Sequence, residues 1–231
     1  MLSKFSLYDF IAVLIPGVFF LWILHTIVPS AYLDTIVPLS GGFSETSLLV
    51  VIGYVVGLLL QGVSQLVTEN ILLKLWDGFP SARWLRPHDT RFSQPYRSEL
   101  AEALDRHFKI KLPEGGKETD RSSLKRRQEI FYRCYRSVEK LSDLPQTFVA
   151  EYGLFRSLLT TFLILAVIAL ANILISLARL GTAEKRDTLI LVGVLGGAFI
   201  TYRRTVQRSN DFAKSVYDVF LVNFGTRAGS K

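Results

Sequence analysis

The sequence is poor in the residues that form disulfides and metal sites. Cys134 is its only cysteine, and its three histidines, His25, His88 and His107, show no paired spacing. An intramolecular disulfide is therefore excluded, as is a cysteine-based metal cluster within one chain. The sequence also lacks a phosphate-binding glycine loop and the HExxH and GxSxG patterns. We therefore predict no catalytic residue, no metal ligand, no cofactor and no enzymatic activity.

Apolar and charged residues are segregated along the chain. The 231 residues have a mean hydropathy of +0.30, which is too apolar for a soluble domain of this length, yet 20% are charged. Apolar blocks alternate with a polar middle segment. The net charge of +7 favours anionic partners such as lipid headgroups, nucleotides or nucleic acid. Part of this excess is the usual enrichment of Lys and Arg in cytoplasmic segments of membrane proteins.

Four apolar runs predict four transmembrane helices, because a helix of about 20 apolar residues crosses the hydrocarbon core. The runs are Phe10–Val28, Leu48–Thr68, Leu154–Leu177 and the shorter Thr188–Tyr202. The first run could also be a signal peptide with a cleavage site near Ser30-Ala31. We favour an uncleaved helix because the run is long enough to span and a second span follows. Pro16-Gly17 within it predicts a kink.

The distribution of Lys and Arg predicts the orientation of these spans. The loop Pro29–Ser47 has neither residue, and the turn Ala178–Asp187 has Arg179, Lys185 and Arg186, out of 27 in the chain. Both segments are therefore predicted to lie outside, with both termini in the cytoplasm and the protein in the cell inner membrane. The predicted domains are transmembrane helices 1 and 2 (1–68), a cytoplasmic domain (69–153), helices 3 and 4 (154–202) and a cytoplasmic C-terminal helix and tail (203–231).

The second apolar run, Leu48–Thr68, has small and polar residues on one side. On a helical wheel, one narrow stripe contains Gly53, Gly57, Gln61, Ser64 and Thr68, with Gln65 beside it. Such a stripe in a lipid-embedded helix must face protein or water. We predict helix packing at Gly53 and Gly57, and at Gly193 and Gly197, which repeat their spacing. The polar part of the stripe could pack within one chain, or Gln61, Ser64, Gln65 and Thr68 could line a path shared by several copies.

The polar middle segment contains two predicted amphipathic helices. Ser98 is a candidate N-cap for Glu99–Phe108, whose Leu100, Leu104 and Phe108 share one face. The second helix is Ser122–Leu141. Its apolar face contains Leu124, Ile130, Phe131, Cys134, Val138 and Leu141, its polar face contains Lys125, Arg126, Glu129, Arg133, Arg136 and Lys140, and Tyr132 and Tyr135 flank the boundary.

The basic face of the second helix has two interpretations. It could be a solvated or headgroup-facing surface, or it could bind an anionic ligand. In the second case the phosphates would be bound by Lys125, Arg126, Arg133, Arg136 and Lys140, and a base would stack on Tyr132 or Tyr135. A nucleotide or a short oligonucleotide is the corresponding ligand.

This layout resembles the small multi-pass membrane effectors of bacterial anti-phage defence systems, in particular the nucleotide- or oligonucleotide-gated channel of the Hailong type. The resemblance lies in four spans, the basic segment Ser122–Leu141 and the juxtamembrane Arg203–Arg208. It implies an oligomeric channel that depolarises the inner membrane in response to a signal. A four-span defence scaffold with a soluble nucleic-acid-binding partner fits the layout nearly as well.

We therefore expect an all-α membrane protein with four transmembrane helices and a helical, basic cytoplasmic domain. The expected function is that of a homo-oligomeric channel or membrane-depolarising effector, embedded in membrane lipids and gated by a nucleotide or oligonucleotide. The alternative is a non-conducting membrane anchor or scaffold whose basic domain recruits a soluble protein or a nucleic acid.

Overall fold

The computed structural model describes residues 9–28, 43–67, 79–112, 121–182 and 185–225, and every regular element in these ranges is a helix. In chain order, the elements are a π-helical turn at Asp9–Leu14, α1 (Ile15–Ile27), α2 (Phe43–Val67), α3 (Pro80–Arg83), α4 (Gln94–Phe108), α5 (Arg121–Val138), α6 (Leu144–Leu180) and α7 (Lys185–Phe224). The prediction of an all-helical protein is confirmed for these residues.

Four helical segments are long and apolar enough to cross a membrane. They are Phe10–Ile27, Thr46–Val67, Leu144–Arg179 and Lys185–Phe224. Large apolar side chains on them point outward, and Trp22, Leu59, Val167 and Phe199 are each at least 60% exposed. Lipid would cover such residues, whereas a protein in water would expose them at a cost. The prediction of four potential spans is confirmed by length and composition, and these helices indicate a multi-pass membrane protein.

One predicted helix boundary is wrong. Helix α2 begins at Phe43, so the last residues of the predicted outer loop are helical, and the part of that loop before Phe43 lies outside the described residues. Helix α7 contains the predicted fourth span, Thr188–Tyr202, and continues without a break through Arg203, Arg204 and Arg208 into the predicted C-terminal helix. Arginine is a good helix former, so a change from apolar to basic composition does not end a helix.

The chain divides into two compact units. We call Met1–Asn70 with Ala150–Val206 the apolar unit, and Ile71–Val149 with Gln207–Lys231 the polar unit. Helices α6 and α7 each contribute residues to both units.

In the apolar unit, α1 contacts the other long helices. Its Ile27 is buried in a cluster with Leu165 of α6 and Val194 of α7. Near the kink predicted at Pro16-Gly17, the helix changes from π- to α-helical at Leu14–Ile15, with Pro16 in the first turn of α1. Proline is tolerated there because the first turn needs no backbone donor at that position.

The polar unit has an aromatic core between α4, α5 and the end of α7. Phe92 lies at its centre, with ring centroids 5.1 Å from Trp84, 4.5 Å from Tyr96 and 5.6 Å from Tyr217. The predicted inward residues of α4 are confirmed, since Leu100 and Leu104 are fully buried and Phe108 packs against the same core. Aromatic pairs of this kind stabilise a core by about 0.5–1.5 kcal/mol beyond their burial.

The predicted N-cap of α4 is wrong by five residues. The helix begins at Gln94, and the Ser93 hydroxyl accepts a hydrogen bond from the Tyr96 backbone N–H at 3.5 Å. Pro95 occupies the first turn, where its fixed φ favours helix initiation, and this moves the start upstream of Ser98. The guanidinium of Arg97, in the second turn, donates to the carbonyl oxygens of Pro87 at 3.1 Å, Asp89 at 3.0 Å and Arg86. It thereby ties the preceding loop to the helix.

Candidate functional site

The glycines of α2 lie against α1 and the π-helical turn of the same chain. A Cβ on Gly53 would lie 2.6 Å from Val18 Cγ2, and a Cβ on Gly57 would overlap the Val13 carbonyl, 2.8 Å from its carbon. On the other side, a Cβ on Gly17 would be 2.7 Å from the Gly57 nitrogen. The two backbones approach so closely that only glycine fits, as in small-residue contacts of membrane helices.

The two glycines of the second predicted packing pair, Gly193 and Gly197, have different environments. Gly197 on α7 lies under the ring of Phe162 on α6, since a Cβ there would be 2.5 Å from Phe162 Cε1. Gly193 is exposed, and among the described residues nothing lies within 4 Å of the position of a Cβ. Gly193 is therefore not in a helix contact within the described part of the chain, whereas Gly197 is.

The polar residues of the α2 stripe have three different environments. Ser64 is fully buried and its hydroxyl donates to the Gln61 carbonyl oxygen at 2.7 Å. Gln61 is half-buried and Gln65 is exposed, while Thr68 lies outside the described residues. A path between copies of this chain could reach Gln61 and Gln65, whereas the side chain of Ser64 is buried within its own chain.

The predicted anion-binding residues on α5, and Lys140 in the turn after it, form an exposed surface. Lys125, Arg126, Arg133, Arg136 and Lys140 are all exposed. An open groove of about 380 Å³ lies among the side chains of Glu129, Tyr132, Arg133 and Arg136. These positions are three and four residues apart, so they occupy one face of the helix. Two guanidinium groups and one phenol ring in a groove are a suitable arrangement for a phosphate beside an aromatic base.

The two tyrosines on α5 have different roles in the structure. Tyr132 is 62% exposed and lines the groove. Tyr135 is half-buried and packs edge-on against Phe212 of α7, with ring centroids 5.6 Å apart. Burial, with a smaller effect of nearby Glu139, raises the pKa of the Tyr135 phenol. Of the two tyrosines predicted as alternatives for stacking a base, Tyr132 is therefore the exposed one, whereas Tyr135 packs against the core.

The environments of two charged residues of α5, Glu129 and Arg127, were not predicted from the sequence. Glu129 lines the groove, so a bound anion would lie near a carboxylate as well as two arginines. Arg127 is only 2% exposed. Its spacing from Phe131, Cys134 and Val138 is the signal that could have identified it, because these positions repeat every three or four residues and form the buried face. The predicted inward residue Leu141 is 52% exposed, since it lies beyond the end of α5 at Val138.

Cys134 lies in the core of the polar unit, and its side chain is fully buried. Burial raises the pKa of its thiol to about 12. A thiol of this kind is protonated at neutral pH and is a poor nucleophile. Across the part of the chain that the structure describes, no three side chains of His, Cys, Asp or Glu are grouped to hold a metal ion.

No protein-family model matches the chain, and no curated protein or solved structure matches it. The placement of its own side chains is therefore the basis for a functional interpretation.

Proposed function

We propose that this protein is an oligomeric channel, or a membrane-depolarising effector, in which several copies form a polar path through the bilayer. Gln61 and Gln65 of α2 line this path. An anionic ligand, a nucleotide or a short oligonucleotide, binds the groove on α5 and controls it. The bilayer is the inner membrane of a bacterium, both termini are cytoplasmic, and the physiological role is defence against phage.

The observation that supports the path is the position of the two glutamines. Gln65 is exposed and Gln61 half-buried on a helix whose neighbouring side chains Leu59, Val63 and Leu66 are also exposed and apolar. Gln61 is six residues before the end of α2 at Val67, which places it about 9 Å inside the helix end. Amides are costly in hydrocarbon, but they can hydrate a pore without introducing a charge.

The number of spans in one chain supports an oligomer. Four spans are too few to enclose a wide aqueous path, so a path of useful diameter requires several copies around an axis. Repetition of one exposed amide face around such an axis would produce rings of Gln61 and Gln65.

The groove on α5 supports an anionic ligand, because two arginines and an exposed tyrosine line it. The carboxylate of Glu129 favours a ligand that also has hydrogen-bond donors, such as a base amino group, over inorganic phosphate. This preference distinguishes a nucleotide site from a surface that attracts any anion.

Membrane potential is the first test of the channel. Expression of the protein should depolarise cells loaded with a potential-sensitive dye, and Gln61→Leu combined with Gln65→Leu should restore the potential without reducing membrane insertion. Leu59→Val, on the same helix and also exposed, is the matched control and should depolarise like the wild type. Depolarisation by the double glutamine variant at equal protein level would contradict the assigned path.

Ligand binding is tested with labelled cyclic nucleotides and short single-stranded oligonucleotides on purified protein at low salt. Arg133→Gln with Arg136→Gln should weaken binding, whereas Arg106→Gln, an exposed arginine on α4, should not. For a single strand, loss of two phosphate contacts should reduce the salt slope of log affinity by roughly 1.4. Flat titrations of the wild-type protein, or equal losses in the Arg106 control, would count against the groove.

The same experiments test the alternative function, a non-conducting membrane anchor or scaffold that recruits a soluble protein or nucleic acid through α5. Such a protein would bind its partner with the same arginines and leave the membrane potential unchanged. The defence role is tested separately, by counting phage plaques on cells with and without the protein.

A further inference from the structure

Two buried hydroxyl groups of α6 have no hydrogen-bond partner among the described residues. Ser157 and Thr161 are both 0% exposed, and neither hydroxyl oxygen donates or accepts a hydrogen bond there. They are one helical turn apart, so they lie on the same face of α6. A buried unsatisfied hydroxyl is costly, so each such group in a native structure calls for an explanation.

Neighbouring hydroxyls show what these two side chains could have done instead. Thr160 donates to the Arg156 carbonyl oxygen at 3.2 Å, and Thr201 and Thr205 of α7 donate to the carbonyl oxygens one turn before them at 2.8 Å. This bond within the helix is the usual way for Ser and Thr to satisfy a hydroxyl in an apolar environment. Ser157 and Thr161 do not make it, so their hydroxyls are available to a ligand.

The helix register places these hydroxyls beside polar residues of α7. Phe162 faces Gly197 and Leu165 clusters with Val194, so a step of three residues forward on α6 corresponds to three residues back on α7. The two helices are therefore antiparallel in the apolar unit. Ser157 is about 12 Å from the level of Leu165, and Thr201 is about 10 Å from the level of Val194 on the same side. Thr161 is about 6 Å from the level of Leu165, so Thr201 lies at a level between Ser157 and Thr161, and we call this stretch, about one helical turn deep, the layer.

The layer is bounded by an apolar cluster on one side. Beyond Thr161 along α6, Leu165 is fully buried with Ile27 and Val194, and Ala169 is 1% exposed. On the other side, Ser157 directly follows Arg156, whose guanidinium lies 5.5 Å from the Tyr152 ring centroid. Among the described residues, the polar side chain of Arg156 therefore lies at one end of the layer and the apolar cluster at the other.

We propose that Ser157 and Thr161 form a binding site for water inside the helix bundle, hydrated from the Arg156 end and closed by the cluster of Ile27, Leu165 and Val194. One water bridges the two hydroxyls, which provide two of the two to four polar partners that a buried water needs. This site is distinct from the path at Gln61 and Gln65. It exists whether or not the protein conducts ions.

Cysteine accessibility in lipid nanodiscs tests the proposal. Cys134→Ala removes the one native cysteine, and single cysteines are then introduced at residues 157, 161, 169, 167 and 182. In D2O, the thiols of Ser157→Cys and Thr161→Cys, followed by their S–H stretch, should take up the deuterium label at least about tenfold faster than the thiol of Ala169→Cys. A dry site excludes water and raises the thiol pKa, and each pKa unit lowers the exchanging thiolate fraction about tenfold. Thr182→Cys, in the exposed turn just after α6, is the positive control, and Val167→Cys, on the exposed apolar surface of α6, is a comparison site.

Equal, slow labelling at residues 157, 161 and 169, with rapid labelling at 182, would overturn the proposal. A stability measurement covers the case in which a cysteine variant does not fold. Thr161→Val in the native background should lower the melting temperature, because the bound water loses a partner. A higher melting temperature would show a dry, unsatisfied hydroxyl and would also overturn the proposal. Neither measurement depends on ion conduction, so their failure would leave the proposed channel function untouched.

Discussion

The close contact between α1 and α2 predicts a large difference between two glycine-to-alanine substitutions on α2. A Cβ on Gly57 would overlap the backbone carbonyl of Val13, whereas at Gly62 nothing among the described residues lies within 4 Å. The Val13 carbonyl carbon would be 2.8 Å from the new methyl carbon, against an optimal carbon–carbon separation of about 3.5–4.0 Å. The two helices must therefore move apart by roughly 1 Å, which forfeits a quarter to a half of the affected van der Waals attraction.

The expected magnitude follows from two opposing effects. Overpacking of this kind costs about 1–3 kcal/mol. Alanine also has a higher helix propensity than glycine by about 1 kcal/mol, and Gly62→Ala measures this gain by itself. We expect Gly57→Ala to be less stable than Gly62→Ala by about 1–3 kcal/mol. Gly53→Ala should fall between them, because it meets a Val18 methyl group rather than a backbone carbonyl.

The assay is unfolding from mild detergent by increasing SDS, followed by tryptophan fluorescence, to which Trp22 on α1 contributes together with Trp76 and Trp84. All three variants should insert into the membrane equally, since each keeps the apolar span. Identical unfolding curves for Gly57→Ala and Gly62→Ala would refute the contact between α1 and α2, and with it the packing role of the glycine stripe.

Three further predictions concern the polar unit. Tyr96→Phe removes the hydrogen bond that the phenol donates to Asp218 at 2.8 Å and should lower the free energy of unfolding by about 1.5–3 kcal/mol in chemical denaturation. Because the pKa of Cys134 is raised to about 12 by burial, the unfolded chain ionises first, and stability should fall above about pH 9 by up to 1.4 kcal/mol for each pH unit. Cys134→Ala should lose this component of the alkaline decline. Arg97→Lys cannot bind three carbonyls of the 86–89 loop in the same way, and it should speed amide hydrogen exchange in that loop.

Each of these predictions has a result that would contradict it. An unchanged denaturation midpoint for Tyr96→Phe would mean that the bond to Asp218 contributes nothing. If the stability of Cys134→Ala depends on pH in the same way as that of the wild type, burial does not raise the pKa of the Cys134 thiol. If amide exchange in the 86–89 loop is the same with lysine or arginine at position 97, the Arg97 side chain does not hold this loop to α4.

The four apolar runs were predictable because the bilayer imposes a length and a composition that are visible in the sequence. Their boundaries were less predictable. The change in composition after Tyr202 does not end a helix, because Arg203, Arg204 and Arg208 have good helix propensity and α7 continues through them. Similarly, two candidate serines precede α4, and the position of Pro95 decides in favour of Ser93.

The environments of the candidate site residues depend on contacts that the sequence does not encode locally. A helical wheel places Gln65 beside the stripe that contains Ser64, but only the packed bundle shows that Ser64 is buried and Gln65 exposed. Tyr135 lies at the edge of the amphipathic pattern of α5, and Phe212, distant in sequence, draws it into the core. Arg127 was on the buried face by its spacing, although arginine is rarely buried to this degree.

Ion flux through purified protein in liposomes is the most direct test of the proposed polar path. We expect the reconstituted wild type to release a trapped cation in one of two states, with or without its ligand. In that same state, the Gln61→Leu, Gln65→Leu double variant should release the cation far more slowly at equal incorporation. No flux from the wild type in either state, with the protein inserted and folded, would contradict the account.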